Sequence, residues 1–231
     1  VILLENDDLL ALAKPPGVSM ATSRRPGRSE EEIVARLLDA CGVGAGRSLL
    51  LVHRLDVGTS GVVLLARSAA AHRSLSRAFQ DRRAKKTYRA LVWGHPVPAR
   101  GVLDTPLGRD PGDGRRMRAA PDGKPAVTRY VTLRRYSGVA DLELFPETGR
   151  THQIRVHLAS RGHPIVGDDL YGGARRWRGV REAGLRDAFR TVRRPLLHAI
   201  RIEVADLRID VTAPLPEDYR SLIDRLAKPG S

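Results

Sequence analysis

Apolar residues in this chain come in short runs broken by clusters of Gly, Pro, Asn, Asp and Arg, a pattern that predicts strands and turns more often than long helices. Residues 1–14 predict two strands around a turn at Asn6-Asp7-Asp8, ended by Lys14-Pro15-Pro16-Gly17. Residues 20–29 are polar and basic and predict a loop, whereas 30–40 carry Ile33, Leu37 and Leu38 at helical spacing. Aliphatic runs at 49–55 and 61–66 flank Asp56-Val57-Gly58-Thr59-Ser60 and predict strand, tight turn, strand. A helix is expected over 69–81 and a strand over 86–93.

From Gly101 to Lys124 a strand at Gly101–Thr105 leads into a loop that carries Arg109, Arg115, Arg116 and Arg118. Residues 125–134 and 139–145 alternate as an antiparallel pair across Ser137-Gly138. Thr151 to Arg161 predicts a helix opened by Thr151. Residues 175–194 are polar and basic with little core material, a surface excursion or a short helix. Strands at 197–204 and 207–212 and a helix over Asp218–Leu226 close the chain. Strands outnumber helices and seldom alternate with them, so the expected class is α+β with a mostly antiparallel sheet. With no internal repeat and no clean linker, the expectation is a single domain over 1–231, in which 107–124 is a functional loop.

Charge adds a partner. Forty Lys and Arg stand against 26 Asp and Glu, a formal net charge of +14, and only five of the basic residues are Lys. Genome composition can favour Arg over Lys, but it does not create an excess of basic over acidic residues. The excess points to a polyanion, nucleic acid before an anionic membrane. The lone Cys41 can form neither an internal disulfide nor a zinc cluster and reads as filler at a helix end, which implies a reducing compartment. No apolar run approaches the roughly 18 residues of a membrane span, and the opening residues lack the basic start and cleavage site of a signal peptide. The chain does not start with Met.

Four segments carry candidate chemistry. In His53-Arg54-Leu55-Asp56-Val57-Gly58-Thr59-Ser60-Gly61 a carboxylate ends a strand at a Gly-containing turn; it is placed as a rigid nucleophile or base, or it caps the turn. Arg54 shares a face with Asp56 if the strand continues, and favours the ionised carboxylate. In Glu147 to His157 a strand feeds a helix through a Gly turn, and Arg150, His152 and the helix amides suit phosphate. His152 and His157 are i, i+5, about 140° apart around a helix, poor spacing for a shared metal. Lys85-Lys86-Thr87-Tyr88-Arg89 is either a solvated strand edge or a basic strand whose Tyr stacks on a base. The arginines of 109–118 are either solubilising charge or a grip on a nucleic acid backbone.

Taken together these segments resemble the RluA family of RNA pseudouridine synthases. His53 to Gly61 matches the family's His-Arg-Leu-Asp-x-x-Thr-Ser-Gly signature. The resemblance continues through Lys14-Pro15-Pro16-Gly17, Lys86-Thr87-Tyr88, Gly123 to Thr128, Gly149 to His157, Gly162 to Asp168 and Arg194 to Ala199, in family order over nearly the whole chain. It implies a catalytic domain with a long mixed, mostly antiparallel sheet, flanking helices and a central RNA cleft. Asp56 falls on the catalytic aspartate, Arg155 on the basic residue that pairs with it, and Tyr88 on the aromatic that packs against the target uracil. Arg54 falls on the arginine that helps displace the target base, and Leu197 on the segment whose apolar side chain contacts it. His53, Thr59, Arg150 and His152 join the expected RNA-binding set.

The implied reaction breaks the bond from ribose C1′ to uracil N1 and remakes it to C5. Nothing is oxidised or hydrolysed, so neither cofactor nor metal is expected. Attack of Asp56 on C1′, attack on uracil C6 and abstraction of a ribose proton all fit the residues. The expected setting is a monomer in a bacterial cytoplasm acting on ribosomal or transfer RNA. The chain opens directly on the catalytic segment, without the S4-type RNA-binding domain that often leads the family, and 174–193 is longer and more basic than the family pattern requires. Two rivals are a binding protein that keeps the fold without the activity, which predicts loss of Asp56, Tyr88 and Arg155, and a metal-dependent nuclease. The nuclease needs clustered acidic ligands. Asp168-Asp169 is the one adjacent acidic pair near a motif, and the resemblance makes it structural.

Overall fold

The computed structural model describes residues 1–22, 29–44 and 48–228; most of the loop expected over 20–29 lies outside them. In chain order the strands are β1 (Ile2–Glu5), β2 (Leu9–Lys14), β3 (Leu50–Leu51), β4 (Ser60–Ala66), β5 (Lys85–Trp93), β6 (Arg100–Leu103), β7 (Leu107–Arg109), β8 (Met117–Ala119), β9 (Thr128–Tyr136), β10 (Val139–Pro146), β11 (Leu197–Val204) and β12 (Ile209–Thr212). The helices are α1 (Glu30–Ala40), α2 (Ala69–Gln80), α3 (Gln153–Ser160), α4 (Ala183–Arg190) and α5 (Glu217–Ala227). The class is α+β with mostly antiparallel pairing, as the alternation of the sequence predicts. The chain divides into two compact units, Val1–Lys86 with Ala199–Pro214 and Thr87–His198 with Leu215–Ser231, and the segment 107–124 lies wholly inside the second.

In the first unit the strand order is β1-β2-β4-β11, with β12 on β11 and β3 on β4. Asn6 makes the first turn: its side-chain oxygen accepts from the N–H groups of Asp8 (3.0 Å) and Leu9 (2.9 Å), which explains why polar residues interrupt two apolar runs there. Strand β4 is buried at every position. Val62, Leu64 and Ala66 pack with Leu9 and Ala11 against Ala71, Leu75 and Ala78 of α2. Helix α1 starts on a reciprocal cap, in which Ser29 accepts from Glu32 N–H (3.2 Å) and Glu32 accepts from Ser29 N–H (2.9 Å). Cys41 ends that helix as buried filler, its Sγ 3.5 Å from Ala13 O, and burial raises the thiol's pKa.

In the second unit the order is β5-β10-β9-β6, all antiparallel, and β9 and β10 form the expected hairpin across Ser137-Gly138. The Arg-bearing segment is no bare loop. β7 and β8 pair Leu107 with Ala119 and Arg109 with Met117, strands too short to register as a period in the sequence. Asp113 pairs with Arg115, and Asp110 lies 3.8 Å from Arg116, so part of the hairpin's positive charge is compensated locally. Helix α5 is tied down by Tyr219, whose buried hydroxyl donates to Asp141 on β10 (2.8 Å), while Arg89 on β5 pairs with the same carboxylate.

One contact in the first unit leaves no room for a side chain. Gly61 sits at φ +124°, and a Cβ there would lie 2.2 Å from the carbonyl oxygen of Ala199 on β11. Gly61→Ala is therefore expected to destabilise the chain by about 3 kcal/mol or more, read as a fall in the urea midpoint. Gly138→Ala is the control. Its φ is +75°, but an added Cβ meets nothing within 4 Å, so only the left-handed backbone cost of about 1 kcal/mol is expected.

Candidate active site

In the first unit the sequence predicts a strand over 49–55, but β3 is only Leu50–Leu51 and the chain then leaves the ladder. A side chain replaces the backbone partner: Leu64 N–H of β4 donates to His53 Nε2 (3.0 Å), and the His53 ring stacks on Phe79 with centroids 4.6 Å apart. Arg54 and Asp56 thus sit on a loop and not on one face of a strand. Arg54 is exposed, Leu55 buried and Asp56 half-buried. Asp56 O accepts from Thr59 N–H (3.0 Å), which closes the turn and leaves Thr59 buried at 2% exposure. The next carbonyl, of Val57, accepts from Gly17 N–H (2.7 Å) and lies 3.4 Å from the ammonium of Lys14, a lysine only 1% exposed. The Lys14-Pro15-Pro16-Gly17 segment therefore clamps the turn that carries Asp56.

His53 is held neutral. Burial foremost, and the nearby Lys86 cation next, push its pKa down to about 3. With its Nε2 accepting from Leu64, the neutral ring carries its proton on Nδ1 and supports the loop.

In the second unit the turn before α3 is organised by Gln153. Its Oε1 accepts from Thr148 Oγ1 (2.7 Å) and Arg150 N–H (3.0 Å), while its Nε2 donates to Val127 O (2.9 Å) and Thr128 Oγ1 (2.9 Å). The helix opens at Gln153 behind His152, which takes the left-handed φ of 55°; Thr151, the expected cap, is part of the preceding turn. Arg150 is half-buried and its Nε donates to Pro125 O (3.1 Å).

One turn into α3, Arg155 is 8% exposed and meets Asp168, which is fully buried, in a two-pronged ion pair: Nε to Oδ2 2.7 Å and Nη2 to Oδ1 2.9 Å. The same Oδ1 accepts from Tyr171 N–H (3.2 Å). The Tyr171 ring lies under two guanidiniums, Arg155 at 4.9 Å and Arg116 at 5.6 Å from its centroid. Its hydroxyl accepts from Met117 N–H (2.9 Å) and lies 2.8 Å from His152 Nδ1. Arg155, Asp168, Tyr171 and His152 thus form one bonded group. The sequence reading counts Asp168 as structural and misses Tyr171 and Gln153, whose partners are distant in the chain.

Tyr88 on β5 is half-buried and packs with Ala90, Leu142, Leu144, Ile154 and Leu197 in a single apolar cluster. Leu197, at the start of β11, is buried at 3% exposure. The structure thus brings Tyr88 and Leu197 together in one cluster. His157 faces elsewhere: Nδ1 lies 3.0 Å from Thr128 Oγ1 and Nε2 2.9 Å from Thr105 O, and burial lowers its pKa. Among the described residues no three His, Cys, Asp or Glu side chains gather as a metal site would need, and no helix is long and apolar enough to cross a membrane.

The sequence profile of the RNA pseudouridylate synthases matches residues 8–160. A Chloroflexus aurantiacus protein named as an uncharacterized RNA pseudouridine synthase is 40% identical over 220 residues, 92% of this chain and 65% of that one. The chain therefore spans just under two thirds of that relative's length. The dual-specificity RNA pseudouridine synthase RluA of Escherichia coli is 40% identical over 176 residues, 74% of this chain and 76% of the relative. Among solved structures, human RNA pseudouridylate synthase domain containing 4 superposes with a TM-score of 0.74 at 26% identity, covering 97% of this chain and 92% of the other.

Two measurements test the geometry. Removing Asp168 leaves the Arg155 guanidinium buried without its partner, so Asp168→Ala is expected to cost about 3–5 kcal/mol in urea unfolding, and the double replacement with Arg155→Met to recover part of it. For His53 the unfolded chain takes a proton below about pH 6.5 and the folded chain does not until about pH 3. The unfolded state binds more protons in that window, so His53's contribution is complete above about pH 6.5 and is lost as pH falls. His53→Gln is expected to flatten the decline between about pH 6.5 and 5 by up to ~1.4 kcal/mol per pH unit; an unchanged slope would mean that the folded ring is protonated.

Proposed function

The chain belongs to the RluA family of RNA pseudouridine synthases, and on that premise we propose that it converts specific uridines of structured RNA to pseudouridine with Asp56 as its essential carboxylate. One observation carries the reading. The family signature is folded as a pinned turn: Thr59 closes it, Lys14 and Gly17 hold the Val57 carbonyl, and Asp56 stays half-buried between buried Leu55 and exposed Val57. A carboxylate on so constrained a backbone loses little freedom when it meets a reacting atom.

The other roles follow the family pattern. Arg155 falls on the family's basic residue that pairs with the catalytic aspartate, and its own side chain is positioned by Asp168 and Tyr171. Tyr88 packs on the uracil, and Leu197 supports the base from the same apolar cluster. The exposed Arg54 helps displace the target nucleotide, offsetting part of the few kcal/mol that extrusion from a duplex costs. Arg150 and His152 lie where the RNA backbone approaches. His53 and Thr59 serve RNA indirectly, through the shape of the turn. Bond for bond the reaction exchanges C1′–N1 for C1′–C5 and moves the C5 proton to N1, so it consumes nothing besides the uridine. The net charge of +14 fits an RNA substrate. The reading places the enzyme as a monomer acting on ribosomal or transfer RNA in a bacterial cytoplasm, and its bacterial relatives support that setting.

The test is to incubate the protein with unmodified total RNA in the presence of a metal chelator and to map new pseudouridines beside Asp56→Asn. Discrete conversion by the wild type, with the variant slowed at least about a thousandfold yet still binding RNA, is the expected result. RNA binding without any converted uridine would overturn the catalytic reading and leave a binding protein. Conversion abolished by the chelator would overturn the metal-free chemistry.

A further inference from the structure

The segment 174–193 is absorbed by none of the roles above, and its charge is strongly one-sided: seven arginines against Glu182 and Asp187. Arg175 and a short 3-10 turn at Arg176–Gly179 lead to α4 (Ala183–Arg190). Arg175, Arg176, Arg178, Arg181, Arg190 and Arg193 are all exposed. Within the segment one ion pair forms, Arg190 with Asp187 at 3.8 Å between two exposed side chains, and Arg176 also donates to Gly162 O (3.2 Å). Among the described residues Arg175, Arg178, Arg181 and Arg193 have no carboxylate within salt-bridge distance. The hairpin β7–β8 differs, since Asp110 and Asp113 sit beside its own arginines.

A charged tail would be unremarkable, but this segment is anchored. Phe189 and Ala188 of α4 are buried, and the Phe189 ring packs on Trp93 of β5 with centroids 4.8 Å apart. Trp177, Val180, Leu185 and Val192 pack on the same cluster, and the Trp93 indole N–H donates to Gly173 O (2.7 Å) just before the segment starts. Arg186 and Arg190 are one helical turn apart and share a face of α4. The chain thus holds four exposed arginines without a carboxylate partner, Arg175, Arg178, Arg181 and Arg193, on a folded segment. Fixed, exposed, unpaired arginines are the arrangement that binds successive phosphodiesters. A protein partner that matched it would need an acidic surface, and an anionic membrane would favour an apolar face beside the charge; here the apolar face of α4 is turned into the core.

We propose that the 174–193 platform binds the phosphate backbone of the substrate RNA away from the target uridine, and so selects substrates by the RNA that flanks the site. The proposal rests on the RNA-modifying reading above, and its test separates the two. The variant replaces Arg175, Arg178, Arg181 and Arg193 by Gln. A control of equal charge change replaces the exposed Arg36, Arg100, Arg129 and Arg134 by Gln. Binding of a long transcribed RNA and of a short RNA is measured over a range of KCl concentrations, and pseudouridine formation is measured alongside.

The platform variant is expected to keep its thermal midpoint, to lower the magnitude of the salt slope of binding to the long RNA by about 3, and to weaken that binding at least about tenfold near physiological salt. Short-RNA binding and kcat should stay unchanged while KM for the long RNA rises. Equal losses in platform and control variants would mean that net charge alone acts, and would overturn the proposal. So would wild-type affinity and slope in the platform variant, or a loss confined to anionic vesicles or to an acidic protein surface. If the wild type converts no uridine, the enzyme reading fails, while the binding comparison still decides the platform.

Discussion

Helix α3 is placed by the ion pair between Arg155 and Asp168. A guanidinium at 8% exposure is tolerable only if every charge around it is matched, and Asp168 matches it with both oxygens. The carboxylate in turn depends on its own turn: its backbone carbonyl accepts from Gly173 N–H (2.7 Å) and Ala174 N–H (3.1 Å), and its side chain accepts from Tyr171 N–H. Tyr171 then carries the constraint outward, to Met117 on β8 through its hydroxyl and to His152 at the start of the helix. A strand of the short hairpin, the helix start and the turn at 165–173 are thereby tied to one buried charge. Such a cluster contributes little net stability compared with apolar packing of the same volume; its value lies in fixing one arrangement of side chains against all others.

The first unit solves a related problem with a different device. β4 is buried along its whole length, so its backbone groups need partners along every edge. Where β3 stops, the His53 ring supplies the missing acceptor, and the strand can end while its neighbour remains satisfied. The loop released in this way is the one that carries Asp56. Support of the sheet and presentation of the carboxylate are thus consequences of the same side chain, and the neutral state of His53 is required for the first of them.

Much of this was legible in the sequence. The alternation at 125–145, the apolar run at 61–66 and the helical spacing of Ile33, Leu37 and Leu38 name their elements because each depends on burial of local side chains, which leaves a period. The signature around Asp56 is legible for a different reason, since its residues are neighbours in the chain. The early end of β3, the β7–β8 hairpin and the left-handed start at His152 are not. Each is decided by a bond to a distant residue: Leu64 for His53, Lys124 for Leu107 and Tyr171 for His152. Gln153 is the clearest case. Nothing in its local pattern marks it, yet four hydrogen bonds, two with the start of β9 at Val127 and Thr128 and two with the turn at Thr148 and Arg150, converge on its amide.

The single thiol has an analytical use that follows from its place. Cys41 is buried at the end of α1 beside Ala13 of β2, and its raised pKa keeps the unreactive protonated form. A thiol-labelling reagent can reach it only when the end of α1 opens away from β2. Because the chain has no other cysteine, the labelling rate under native conditions is a clock for that opening alone, and it reads the breathing of the first unit without a probe being engineered into it.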